Sequence, residues 1–97
     1  MSHKRIRWTK RALRRLDEIG THVEKDNPEA AARTIARIVT AAEHLTEQPA
    51  MGRIGRIKGT RELVLVDVPY IVPCRIDGET VEILTVMHAA QRWPQTM

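Results

Sequence analysis

The stretch YIVPCRIDGETVEILTVM, Tyr70 to Met87, decides the fold. Two runs rich in β-branched residues flank Asp77-Gly78. An aspartate–glycine pair between apolar runs is the strongest short-range signal for a hairpin with a type I′ turn. With Asp77 and Gly78 as the turn, Ile76 faces Glu79, Cys74 faces Val81, Val72 faces Ile83 and Tyr70 faces Thr85. Successive strand side chains point to opposite faces. One face then holds Tyr70, Val72, Cys74, Ile76, Val81, Ile83 and Met87, almost wholly apolar. The other holds Ile71, Pro73, Arg75, Glu82, Leu84, Val86 and His88. A slip of one residue would exchange the faces. Pro73 has no amide hydrogen for the ladder, so a bulge or a missing bond is expected there.

Working back towards the N-terminus, ELVLVD, Glu62 to Asp67, is apolar on both parities, as in a central strand covered on both faces. MGRIGRIKGT, Met51 to Thr60, has three glycines and no period, and reads as a loop made basic by Arg53, Arg56 and Lys58. Before it, Ala31, Ile35, Ile38, Ala42 and Leu45 recur at spacings of four and three, one stripe of a helix. Asn27 suits its cap and Pro28 its first position. Glu29 adds charge that favours the helix start, and the helix should end near Gln48-Pro49. Ala12, Leu13, Leu16, Ile19 and Val23 mark an earlier helix from Lys10. Leu13, Leu16 and Ile19 are expected to meet Ile35, Ile38 and Leu45. Ile6 and Trp8 alternate with polar neighbours in a short opening strand, Arg5 to Thr9. The order β-α-α-β-β-β predicts one α+β domain over residues 1–97, a helical hairpin packed on one face of a small antiparallel sheet.

The chain has 97 residues, 42% hydrophobic and 29% charged, the balance of a globular protein. A net charge of +4 suits an anionic partner, nucleic acid or an acidic protein segment, though it also serves solubility alone. The single cysteine, Cys74, excludes an intramolecular disulfide and a multi-cysteine zinc site. His3, His22 and His44 lack ligand spacing, so no metal and no other cofactor is expected. The start MSHKRIRW has no apolar stretch after its basic residues, and no run suits a membrane span. The expected compartment is the cytoplasm.

There is no nucleophile elbow, no phosphate loop and no carboxylate pair placed for glycosidase chemistry. His88 beside Arg61 and Arg75 fits ribonuclease chemistry: an acid–base group for the 2′-hydroxyl and cations for the developing phosphorane charge. A lone histidine at a strand end is more often a surface or capping residue, which is the competing reading of His88. Glu82, six residues back along the strand, lies roughly 20 Å away, too far to orient the His88 ring. Arg53, Arg56, Lys58 and Arg61 suit phosphates or a carboxylate-rich peptide, or form a solvated loop. Apolar side chains on the face away from the helices need a cover. That cover is either the chain's own tail around Trp93-Pro94 or a partner.

WTKRALRRLDEIGTHVEKDNPEAA, MGRIGRIKGTREL, PYIVPCRI and VEILTVMHAAQRWP, in this order and spacing, resemble the RelE/ParE superfamily of bacterial toxins. These are the poison halves of type II toxin–antitoxin modules, often called plasmid stabilisation proteins. The resemblance covers nearly the whole chain. It implies a cognate antitoxin whose C-terminal segment wraps the toxin, here over Ile71, Leu84 and Val86, with operator DNA met only through the antitoxin. RelE-like members cleave mRNA on the ribosome; ParE-like members poison DNA gyrase. RelE-like enzymes keep a basic residue where Val66 stands, and an arginine and a tyrosine near the C-terminus. Arg92 and Trp93 are the nearest here, and no tyrosine follows Tyr70. GTREL and VMHAAQRWP look more like the ParE branch. That branch implies gyrase as target, met by Arg53, Arg56, Lys58, Arg61, Arg92 and Trp93. The RelE alternative gives the catalytic roles to Arg61, Arg75 and His88.

Overall fold

A computed structural model describes residues 4–90. The elements run β1 (Arg5–Trp8), α1 (Lys10–Glu24), α2 (Pro28–His44), a 3-10 turn (Pro49–Met51), β2 (Arg53–Ile54), β3 (Arg61–Val64), β4 (Tyr70–Asp77), β5 (Thr80–Ile83) and β6 (Met87–His88). The helices start where their caps direct. The Thr9 hydroxyl accepts from the Ala12 amide at 3.1 Å and donates to the Leu84 carbonyl at 2.8 Å, tying α1 to the sheet. Asn27 accepts from the amides of Glu29 and Ala30, both at 3.1 Å. α2 ends at His44, earlier than expected. Leu45 is fully buried there, and the Thr46 hydroxyl donates to the Glu43 carbonyl at 2.7 Å, in place of a further helical bond.

The sheet order is β1-β5-β4-β3-β2, with β6 also pairing with β4. It is mixed rather than antiparallel, because β1 runs parallel to β5. β4, not β3, stands at the centre of the sheet: β3 has only the two-residue β2 on its far side. The double apolar parity of Glu62 to Asp67 is therefore not double burial. Leu63 and Leu65 enter the core, while Val64 is 41% and Val66 94% exposed.

The hairpin closes one residue later than expected. Asp77 pairs with Thr80, leaving Gly78 and Glu79 as the turn. Gly78 has φ +57°, and no described non-glycine residue has positive φ. A type I′ turn needs positive φ at both central residues, so this is glycine in the first position of a II′ turn. Cys74 now pairs with Ile83 instead of Val81. The shift is two residues along the partner strand, so the faces survive for this part of the ladder.

Beyond Pro73 they do not. Three steps along β4, from Cys74 to Ile71, face four steps on the other strand, from Ile83 to Met87. One extra residue is inserted: a bulge, opposite the proline as expected. The Leu84 amide donates to the Pro73 carbonyl at 3.0 Å, and Pro73 has no hydrogen to return. The bulge reverses the alternation. Val86 joins the helix-side core, Met87 pairs beside Ile71, and His88 beside Tyr70.

The helix-side core contains Ala12, Ile19, Ile38, Ala42 and Leu45 from the helices, packed on Leu63, Val72, Cys74, Val81, Ile83 and Val86. Leu16 and Ile35 pack at its margin, but Leu13 is 53% exposed and outside it.

Candidate functional site

The face away from the helices carries two groups of paired charges. Its residues follow from register: Arg7, Glu82 and Arg75 are direct neighbours across β1, β5 and β4, and Arg53, Glu62 and Pro73 across β2, β3 and β4. The Glu82 carboxylate accepts from Arg7 Nη1 at 2.8 Å and pairs with Arg75 Nη1 at 3.8 Å. Glu62 Oε1 accepts from Nε and Nη2 of Arg53 at 3.1 and 2.9 Å. Its Oε2 accepts from the Arg56 amide at 2.8 Å and lies 3.6 Å from Arg56 Nε. Two arginine–glutamate–arginine clusters therefore stand on one surface. In each, the carboxylate is sunk: Glu62 is 2% exposed and Glu82 19%, beneath guanidiniums that are 42–69% exposed.

Glu62 also shapes the basic segment. It holds the β2 side through Arg53 and the following turn through the Arg56 amide. Burial pushes its carboxyl pKa up, but the Arg56 amide and the Arg53 guanidinium outweigh this and hold it below the ordinary value. The turn is closed by the Gly55 amide on the Thr60 carbonyl, and by the Thr60 hydroxyl on the Ile57 carbonyl. A Cβ at Gly55 would run into the Thr60 hydroxyl, so this position needs glycine. The expected loop is thus a short strand and a pinned turn, with Lys58 exposed.

The other expected residues separate. Arg61 pairs with Cys74 on the helix side of the sheet, and its Nη1 donates to the Gly52 carbonyl at 2.7 Å. Burial raises the Cys74 thiol to about 11, against the lowering pull of Arg61. Arg75 points to the opposite face. His88 stands edge-on to Tyr70, ring centroids 5.4 Å apart, and its Nδ1 accepts from the Ala90 amide at 3.1 Å. His88 and Arg61 sit opposite β4 residues four apart, roughly 13 Å at strand rise. Arg61, Arg75 and His88 are not brought together.

Val86 belongs to the core, so Ile71, Leu84 and Met87 form the apolar centre of the outer face. They are 3–6% exposed and already covered. Arg92 and Trp93 lie outside the described residues. Arg7 and Glu62 were missed by sequence reasoning. The available signal for Glu62 was a lone carboxylate in an apolar strand just after a run of arginines. Among the described residues, no group of three His, Cys, Asp or Glu side chains could hold a metal ion, and no helix is long and apolar enough to cross a membrane.

Residues 6–93 match the family model described as the ParE toxin of the type II toxin–antitoxin system parDE. A Sinorhizobium fredii protein named as a candidate toxin, Y4kP, is 69% identical over all 97 residues of both chains. The toxin RelE2 of Caulobacter vibrioides is 38% identical over 84 residues, 87% of this chain and 93% of its own. Among solved structures, a chain of the chromosomal ParDE system of P. aeruginosa aligns with a TM-score of 0.81 at 29% identity, covering 89% of this chain and 96% of that one. A chain of the RelBE2 toxin–antitoxin complex of Mycobacterium tuberculosis aligns with a TM-score of 0.69 at 28% identity, covering 90% and 99%.

Proposed function

Because this chain belongs to the ParE toxin family of type II toxin–antitoxin systems, we propose that it arrests growth by poisoning DNA gyrase and is held in check by a cognate antitoxin on the outer sheet face. The separation of Arg61, Arg75 and His88 carries this reading. Nuclease chemistry needs an acid–base group and cations around one phosphate, within hydrogen-bond reach of it. Here two of the three point to opposite faces, and the third lies across β4 from Arg61 and four residues along it, roughly 16 Å at ordinary sheet spacings. The imidazole is also poorly disposed as a base: Nδ1 is taken by the Ala90 amide, so the neutral ring carries its proton on Nε2. Val66, where RelE-like enzymes keep a basic residue, is 94% exposed and apolar.

Arg53 and Arg56, fixed by Glu62, and the exposed Lys58 are the target-contacting cations of this reading. The test is expression without antitoxin. A gyrase poison yields double-strand breaks, an SOS response and filamentous cells with transcripts intact. Cleaved transcripts and an early stop in translation would overturn it in favour of a ribosome-dependent mRNA endonuclease.

A further inference from the structure

We propose that the two arginine–glutamate–arginine clusters form one docking surface for an acidic peptide segment that brings a carboxylate to each. This rests on the reading of the outer sheet face as the antitoxin's side. Each cluster carries a net charge of +1 and is assembled before any partner arrives. Glu62 and Glu82 are held beneath guanidiniums that stay 42–69% exposed. Fixing long arginine side chains in advance lowers the entropy cost of binding. Glu62 and Glu82 lie two strands apart and one residue pair offset along them, roughly 12 Å at ordinary sheet spacings. The partner's two carboxylates need that separation.

The chemistry favours peptide over nucleic acid. Each cluster cancels half its own cationic charge, whereas phosphate-tracking surfaces present dense positive charge and rings on which bases stack. The two aromatic residues within the described span, Trp8 and Tyr70, both pack on the helix side. With Ile71, Leu84 and Met87 already covered, the charged rim supplies the contact, and binding should weaken as salt rises.

Fluorescence anisotropy of the full-length protein tests this with two labelled probes: a glutamate-rich decapeptide and a single-stranded oligodeoxynucleotide of equal net charge. Two double variants remove one cluster each: Arg7→Gln with Arg75→Gln, and Arg53→Gln with Arg56→Gln. A third, Arg11→Gln with Arg14→Gln, removes equal charge from the exposed side of α1. Each cluster pair should weaken peptide binding about tenfold or more, and the α1 pair by less than about twofold. Lysine at Arg7 and Arg75 keeps the charge but loses the two-pronged fork, so it should restore less than half the lost affinity. Equal losses in all three pairs, or tighter oligonucleotide binding with the same dependence on the clusters, would overturn the proposal. Circular dichroism confirms that each variant is folded. Co-expression with the antitoxin reads the underlying assignment separately: if wild-type toxicity is rescued but no cluster variant weakens peptide binding, only the docking proposal fails. If wild-type toxicity is not rescued, the antitoxin reading fails first.

Discussion

At Glu62 two effects oppose each other. Burial favours the neutral acid; the Arg56 amide and the Arg53 guanidinium favour the anion and prevail, so the carboxyl titrates below its ordinary 4.5. A depressed folded-state pKa adds stability that is fully present above the unfolded pKa and is lost as pH falls through the folded one. Glu62→Gln should therefore cost about 1–3 kcal/mol at pH 7. Denaturant midpoints of wild type and variant should converge as pH is lowered below the ordinary 4.5; parallel curves from pH 7 to 3 would rule out this role. His88 is the opposite case. A general acid–base group contributes about 10²–10⁴-fold to a rate. On the gyrase reading, His88→Ala should leave growth arrest within about threefold of wild type. Full loss of toxicity in a folded, antitoxin-binding variant would return His88 to the catalytic centre of a nuclease.

The elements fail or hold by how their side chains are covered. Ile38 is fully buried between α2 and the sheet, whereas Leu13 is 53% exposed. Ile38→Ala should cost about 2–5 kcal/mol, the range for emptying a packed site. Leu13→Ala should stay within about 0.5 kcal/mol, as surface changes do. Chemical denaturation distinguishes the two, and equal costs would mean the helix faces are misassigned. The bulge between β5 and β6 carries its own penalty: the Thr85 hydroxyl is buried with no hydrogen-bond partner among the described residues. An unsatisfied buried polar group costs about 1–3 kcal/mol, so Thr85→Val, close in shape, should raise the melting temperature. A lower melting temperature would show that the hydroxyl is satisfied in solution.

For the whole molecule, stability and partner binding are linked. Chains of this size bury only about 60–70% of their unfolded surface and have little stability in reserve. A partner that binds only the native state adds about 4 kcal/mol when present at a thousand times its Kd. The antitoxin complex should therefore melt well above the free toxin, with a melting temperature that rises with antitoxin concentration. Identical melting of the two would break the linkage. If the arginine clusters carry the contact, the gain should shrink as salt is raised towards 1 M, where the screening length falls to about 3 Å.

Helix positions, the Asn27 cap, the presence of the hairpin and the helix-side face up to Pro73 were legible in the sequence; the Thr9 cap and the exact turn residues were not. The legible features rest on local rules: a period of 3.6 or 2, an asparagine before a proline, a glycine that accepts positive φ. The need for a bulge was legible too, since proline has no amide hydrogen. Where the extra residue would fall was not, because that is settled by pairing on both sides of β4. From that one insertion follow the exchange of Val86 for Met87 on the outer face and the removal of His88 to the Tyr70 side. The parallel pairing of β1 with β5 was equally out of reach. It joins residues more than seventy positions apart, and this pairing alone brings Arg7 to Glu82. Charge was readable from the chain as a net +4. The gathering of four arginines into two clusters around sunken carboxylates was decided by tertiary structure, because ion pairs depend on distance in space and the sequence records only distance along the chain.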